Sequence, residues 1–155
     1  MKPSSGIEGW IEVLSQGDSY SGLRAVHALG AIGEPAVNPL MDVLKNGNMN
    51  VRWGAAMALA KIGPPALDPL IETLKIEEPL VRNPAVWAIA EIGDIKGVEP
   101  LVQVLHEEIS DVSKALTAAA LLKIGDPEGV AAVKQEFERY GEPFIGFVME
   151  AYEGS

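Results

Sequence analysis

The chain has 155 residues, 48% hydrophobic and 22% charged, with a formal net charge of -10 and no cysteine. That length and balance suit one soluble folding unit. The acidity argues against general binding to nucleic acid, and the missing thiols exclude disulfides, thiolate metal sites and a cysteine nucleophile.

In chain order, the first element is Gly9-Trp10-Ile11-Glu12-Val13-Leu14, which matches Pro39-Leu40-Met41-Asp42-Val43-Leu44 thirty positions later. Four near-copies of one phrase follow, typified by Ala55-Ala56-Met57-Ala58-Leu59-Ala60-Lys61-Ile62-Gly63, and their closing glycines are Gly33, Gly63, Gly93 and Gly125. A fixed period of this size is the mark of a stacked-repeat architecture. Within the phrase, Val51, Ala55, Ala58, Leu59 and Ile62 form one apolar stripe at helical period and predict a helix A. Gly63 stands where a left-handed cap is needed, and Pro64 suits the first turn of the next helix. Leu67, Leu70, Ile71 and Leu74 then give the stripe of a helix B. Prolines at 39, 69 and 100 predict the start of regular helix B, or a bend near it.

The alanines of helix A let neighbouring helices approach closely, and stacking hides the apolar faces that a single hairpin leaves bare. The expected fold is an all-α, right-handed α-solenoid of about ten helices, built from antiparallel A/B hairpins with half-repeat caps. One domain over 1–155 is divided into a cap helix B (1–18), repeats at 19–48, 49–79, 80–110 and 111–141, and a cap helix A (142–155). Trp10, Phe144, Phe147 and Tyr152 are the expected covers of the stack ends. No apolar run is long enough to cross a bilayer and Met1-Lys2-Pro3-Ser4-Ser5-Gly6 has no apolar signal core, so a cytoplasmic protein with no membrane partner is expected.

The pattern Val-Arg-x-x-Ala-Ala-x-Ala-Leu-x-x-Ile-Gly, complete at Val51-Arg52 and close at Val81-Arg82, resembles the HEAT repeats, in particular the short variety associated with phycobilisome lyases. The resemblance implies scaffolding and protein binding as the commonest roles. It also implies an Asp before the Val-Arg pair that ladders with arginines of successive repeats; the corresponding places here hold Asn46 and Ile76. An enzymatic branch, the deoxyhypusine hydroxylases, carries iron-binding His-Glu pairs inside several A helices. Here His27 is followed by Ala28, the aligned positions hold Met57, Trp87 and Ala119, and His106-Glu107 stands alone at the end of a helix B. DNA glycosylases of the same type need a basic groove, and the phycobilin lyases share with this chain only the repeat. No catalytic, metal-binding or cofactor-binding residue is assigned.

Two surfaces follow from the register. Glu12, Asp42, Glu72 and Gln103, with Asn38, Asp68 and Glu99 one turn earlier, form an acidic ridge on the B helices, which we expect to line the concave face and take a protein or peptide of basic character. The alternative is a solvated helix face. Trp53, Met57 and Trp87 lie outside the helix A stripe and are expected as a convex apolar patch that could serve homo-oligomerisation, with inter-repeat packing as the alternative. The expected function is a non-enzymatic scaffold or adaptor, with no nucleic-acid partner. The runner-up is a lyase-like or enzyme accessory protein holding a small ligand or chromophore in its groove.

Overall fold

The structure, a computed structural model, describes residues 6–16, 19–108 and 110–154. Among them ten α-helices follow one another and there is no strand: α1 (Ile7–Ser15), α2 (Ser19–Ile32), α3 (Val37–Asn46), α4 (Met49–Ile62), α5 (Pro64–Thr73), α6 (Pro79–Ile92), α7 (Val98–Glu107), α8 (Asp111–Ile124), α9 (Pro127–Tyr140) and α10 (Glu142–Glu153). None of these is long and apolar enough to cross a membrane. In the terms of the repeat, α1 is a helix B, α2 to α9 alternate A and B, and α10 is a helix A.

Local chemistry sets the ends. Gly33, Gly63, Gly93 and Gly125 each follow an A helix with φ between 75° and 83°, and each N–H donates to the carbonyl four residues back. A side chain there would be strained by about 1–2 kcal/mol. At the other end, Asn48 and Ser110 accept from the N–H groups of Val51 and Ser113 as N-caps of α4 and α8. Pro39 and Pro100 fall in the first turn of α3 and α7, just after short 3-10 turns, as the sequence predicts. Pro69 differs: it lies inside α5, which is already helical from Pro64. The Pro64-Pro65 pair holds helical φ from the start, so no 3-10 turn is needed there.

The helices form two layers of unequal tightness. α2, α4, α6, α8 and α10 stack closely on one another, while α1, α3, α5 and α7 pack mainly against the A helix that follows each and touch one another sparsely. Side-chain size accounts for the difference. Ala55, Ala58, Ala85 and Ala88 are fully buried, and a Cβ on Gly30 would lie 2.7 Å from the Cβ of Lys61, so backbones meet with almost nothing between them. The position of Ala58, Ala88 and the buried Ala120 is filled in α2 by Ala28, which is only half-buried because α2 is the first A helix of the row.

A polar seam ties the layers together. Arg52 Nη2 donates to the carbonyl of Lys45 at 3.1 Å, and Arg82 Nη1 to that of Leu74 at 3.4 Å, each at the end of the preceding B helix, where orphan carbonyls collect. Arg82 Nη2 also meets Glu108 Oε2 at 2.8 Å, with both residues buried. Glu108 stands in line with Asn46 and Ile76, so the acidic rung implied by the repeat is present once. Lys114, aligned with the two arginines, lies 3.6 Å from the buried Glu136 of α9.

The ends only partly follow expectation. Trp10 is half-buried against the core and Phe144 is buried, but Phe147 and Tyr152 are 51% and 41% exposed. α10 turns Phe144 and Val148 to the stack, and at helical spacing this leaves Phe147 and Tyr152 on its flanks.

Two predictions follow from the packing. Ala58→Asp should cost about 3–5 kcal/mol in denaturant unfolding, since it places an unpaired charge where no volume is free. Glu108→Ala should cost a similar ~3–5 kcal/mol by leaving Arg82 buried and uncompensated, whereas Arg82→Met with Glu108→Leu should unfold close to the unsubstituted protein.

Candidate protein-binding surface

The four helices α2, α4, α6 and α8 each have 14 residues and run in register, so equivalent side chains line up across the stack. Helical spacing turns positions two, five, nine and thirteen away from the B layer. Position two holds Tyr20, Asn50, Leu80 and Val112, all exposed, Val112 by 76%. Positions five and nine hold Leu23 and His27, both exposed, then Trp53, Met57, Asn83 and Trp87, all half-buried, and in α8 the buried Ala115 and Ala119. Water-facing apolar side chains therefore cluster on α2, α4 and α6, with Asn50 and Asn83 among them, and α8 adds the exposed Val112.

The structure brings the three residues of the expected apolar patch together. The rings of Trp53 and Trp87 meet edge to face across α4 and α6, with centroids 6.1 Å apart and planes at 74°. Trp53 and Met57 line a groove of about 420 Å³ with Leu23 and Val26 of α2. A second groove, also about 420 Å³, continues over the outer side of α2 between Trp10, Tyr20, Leu23, Arg24 and His27. Position thirteen forms a rim of Ala31, Lys61, Glu91 and Lys123, the last two joined in an ion pair.

The seven polar candidates lie apart from this, on the loosely stacked layer. Glu12, Asn38, Asp42, Asp68, Glu72, Glu99 and Gln103 are all exposed on α1, α3, α5 and α7. Several are engaged locally: Asp42 accepts from Asn46, Glu72 pairs with Lys75 at 3.2 Å, and Gln103 donates to Glu107. Glu99 and Gln103 line a groove of about 400 Å³ between α5 and α7, but Lys75 and Lys96 line it too. The row of like charges is thus broken by cations. Among the described residues, no three His, Cys, Asp or Glu stand close enough together to hold a metal ion.

Comparison with known proteins agrees with the stacked hairpins. A model of the HEAT repeats matches residues 7–88, over half of the chain. The chain belongs to the HEAT repeat family. The PBS lyase HEAT-like repeat matches residues 81–107, so the two matches overlap at 81–88 and together span 7–107. No curated protein matches this HEAT repeat chain. Among solved structures, a designed armadillo repeat protein in complex with the peptide (KR)4 is similar at 20% identity and a TM-score of 0.47, covering 94% of this chain and 81% of the other.

Within the HEAT repeats, sequence reasoning named Trp53, Met57 and Trp87 but passed over Tyr20, Leu23, Leu80 and Val112. Their signal was present: each stands at position two or five of an A helix, outside the buried stripe. A double-mutant cycle of Trp53→Ala and Trp87→Ala, read by denaturant unfolding, should give a coupling of about 0.5–1.5 kcal/mol.

Proposed function

We propose that this HEAT repeat protein is a non-enzymatic scaffold that binds another protein through the outward face of α2, α4, α6 and α8. The observation that carries the reading is the cluster of exposed and half-buried apolar side chains centred on the Trp53–Trp87 pair. Exposed clusters of this kind mark interaction sites, and half-buried tryptophans are the usual anchors of a protein interface.

This reading exchanges the two surfaces expected from sequence. In a curved stack of two layers, the layer whose helices are closer together has the smaller radius and lies inside. The alanine-lined A helices approach closely and the B helices do not, which favours the A layer as the concave face. The acidic ridge of Glu12, Asp42 and Glu72 then lies on the outer side, where locally bonded carboxylates contribute solubility.

A second reading keeps the groove between α5 and α7 as a small-ligand site, favoured by its volume of about 400 Å³. That size falls in the range of ligand pockets, but its rim of Lys75, Lys96, Glu99 and Glu107 is charged, whereas such pockets are mostly apolar.

Affinity capture from lysate separates the readings. Trp53→Ser with Trp87→Ser should lose at least about tenfold of any captured protein, which amounts to ~1.4 kcal/mol, while the melting temperature falls by only a few degrees and the variant stays folded. Asp42→Lys with Glu72→Lys should leave capture unaltered. Recovery of a stoichiometric organic molecule in place of protein would support the ligand site instead.

A further inference from the structure

Charge divides between the layers in a way that the net value of -10 conceals. Helices α2, α4, α6 and α8 carry Arg24, Arg52, Lys61, Arg82, Lys114 and Lys123 against only Glu91 and Asp111. Helices α1, α3, α5 and α7 carry seven carboxylates against the single Lys45. Half of the 12 Lys and Arg residues thus sit on four helices of an acidic protein.

Three of those six cations are used inside the fold. Arg52 and Arg82 clamp B-helix carbonyls, and Lys114 approaches Glu136. The other three, Arg24, Lys61 and Lys123, are exposed and border the apolar run, Lys123 in an ion pair with Glu91. Arg24 lines the groove with Trp10 and Leu23, the stem of Lys61 lies over Gly30, and Lys123 borders the small cleft beside Trp87 and Leu116. Glu91 is the one carboxylate on this rim.

Resting on the proposed binding face, we infer that its occupant is an acidic amphipathic protein segment, with apolar anchors over Trp53, Met57 and Trp87 and carboxylates toward Arg24, Lys61 and Lys123. A basic segment would press like charges together, and an uncharged one would strip water from Arg24 and Lys61 without replacement, Lys123 already being paired with Glu91. Nucleic acid fits poorly, because the centre of the face is apolar and three exposed cations neutralise few phosphates. Neighbouring helices pack roughly 8–10 Å apart, so the path from α2 to α8 covers about 25–30 Å, matched by roughly 20 residues of helix or 8–9 of extended chain. The exposed Glu142, Glu150 and Glu153 of α10 end the cationic stretch beyond α8.

Panning a displayed library of random peptides of about 20 residues, the helical length of that path, on the full chain tests the inference directly. The expected winners are rich in Asp and Glu and carry two or more of Leu, Phe or Trp. They should bind Trp53→Ser/Trp87→Ser at least about tenfold more weakly, bind Lys61→Glu/Lys123→Glu at least ~3-fold more weakly, and bind Asp42→Lys/Glu72→Lys as they bind the unsubstituted protein. Circular dichroism melting of each variant confirms that it is folded, and every exchanged residue is exposed or half-buried. Basic or neutral winners that the tryptophan variant loses would overturn the acidic occupant while leaving the binding face intact. Winners indifferent to the tryptophans but lost with Asp42→Lys/Glu72→Lys would overturn the face itself. The inference also fails if no peptide is enriched, or if a duplex DNA probe binds more tightly than any peptide.

Discussion

The close approach of alanine-lined helices is the constraint from which the other features descend. Ala55, Ala58, Ala85 and Ala88 leave no accessible surface, so α2, α4, α6 and α8 can neither separate nor rotate without opening a gap that nothing fills. Because the four helices have one length and nearly one repeat, locking the small positions also locks the outward positions into rows. Trp53 meets Trp87 for that reason: the side chains stand at positions five and nine of adjacent copies, and only tight stacking brings their rings to 6.1 Å. The B helices present larger Leu and Val side chains to the following A helix and stack little on each other. One layer is thus held by backbone proximity, the other by attachment to the first.

That attachment is partly polar, and its design follows from the cost of burying charge. The half-buried Arg52 and the buried Arg82 reach the C-terminal end of a B helix, where unpaired carbonyls and the negative end of the helix dipole await a cation. Arg82 gains Glu108 as well, and Ser110 N–H donates to the second oxygen of that carboxylate, so the buried acid is bonded at both ends. Such a pair adds little net stability compared with apolar packing, but it penalises any slip of the stack that parts its members. It therefore acts on register, which is what the rows on the A layer require.

Much of the fold was legible in the sequence. The four glycines, the thirty-residue period and the two stripes gave helix order and turns, since each depends on neighbours in the chain. The acidic rung needed a third alignment: Asn46 and Ile76 hide it, and only Glu108, shifted by the longer spacing before Gly125, carries it. The fate of Phe147 and Tyr152 was harder to read, because composition shows a bulky residue but not which flank of the last helix it occupies. Which layer curves inward depends on relative helix spacing, a property of packing between copies that no single repeat encodes. The division of charge was readable but obscured, because counting by halves of the chain mixes A and B helices in each half.

An acidic molecule with a weakly cationic, apolar face on its A layer meets a conflict between range and contact. Beyond a Debye length of about 8 Å at physiological ionic strength, an incoming carboxylate feels little of any single residue, and the net charge of -10 supplies only a diffuse repulsion. Within that distance the local cations and the apolar rows decide. Such an arrangement does not recruit a partner quickly by long-range steering, as a strongly charged surface would. In the proposed role it would select at contact, rejecting acidic segments that lack apolar anchors and apolar segments that lack carboxylates. The B layer, more acidic than the A layer, contributes solubility without placing its charge on the surface that a partner would desolvate.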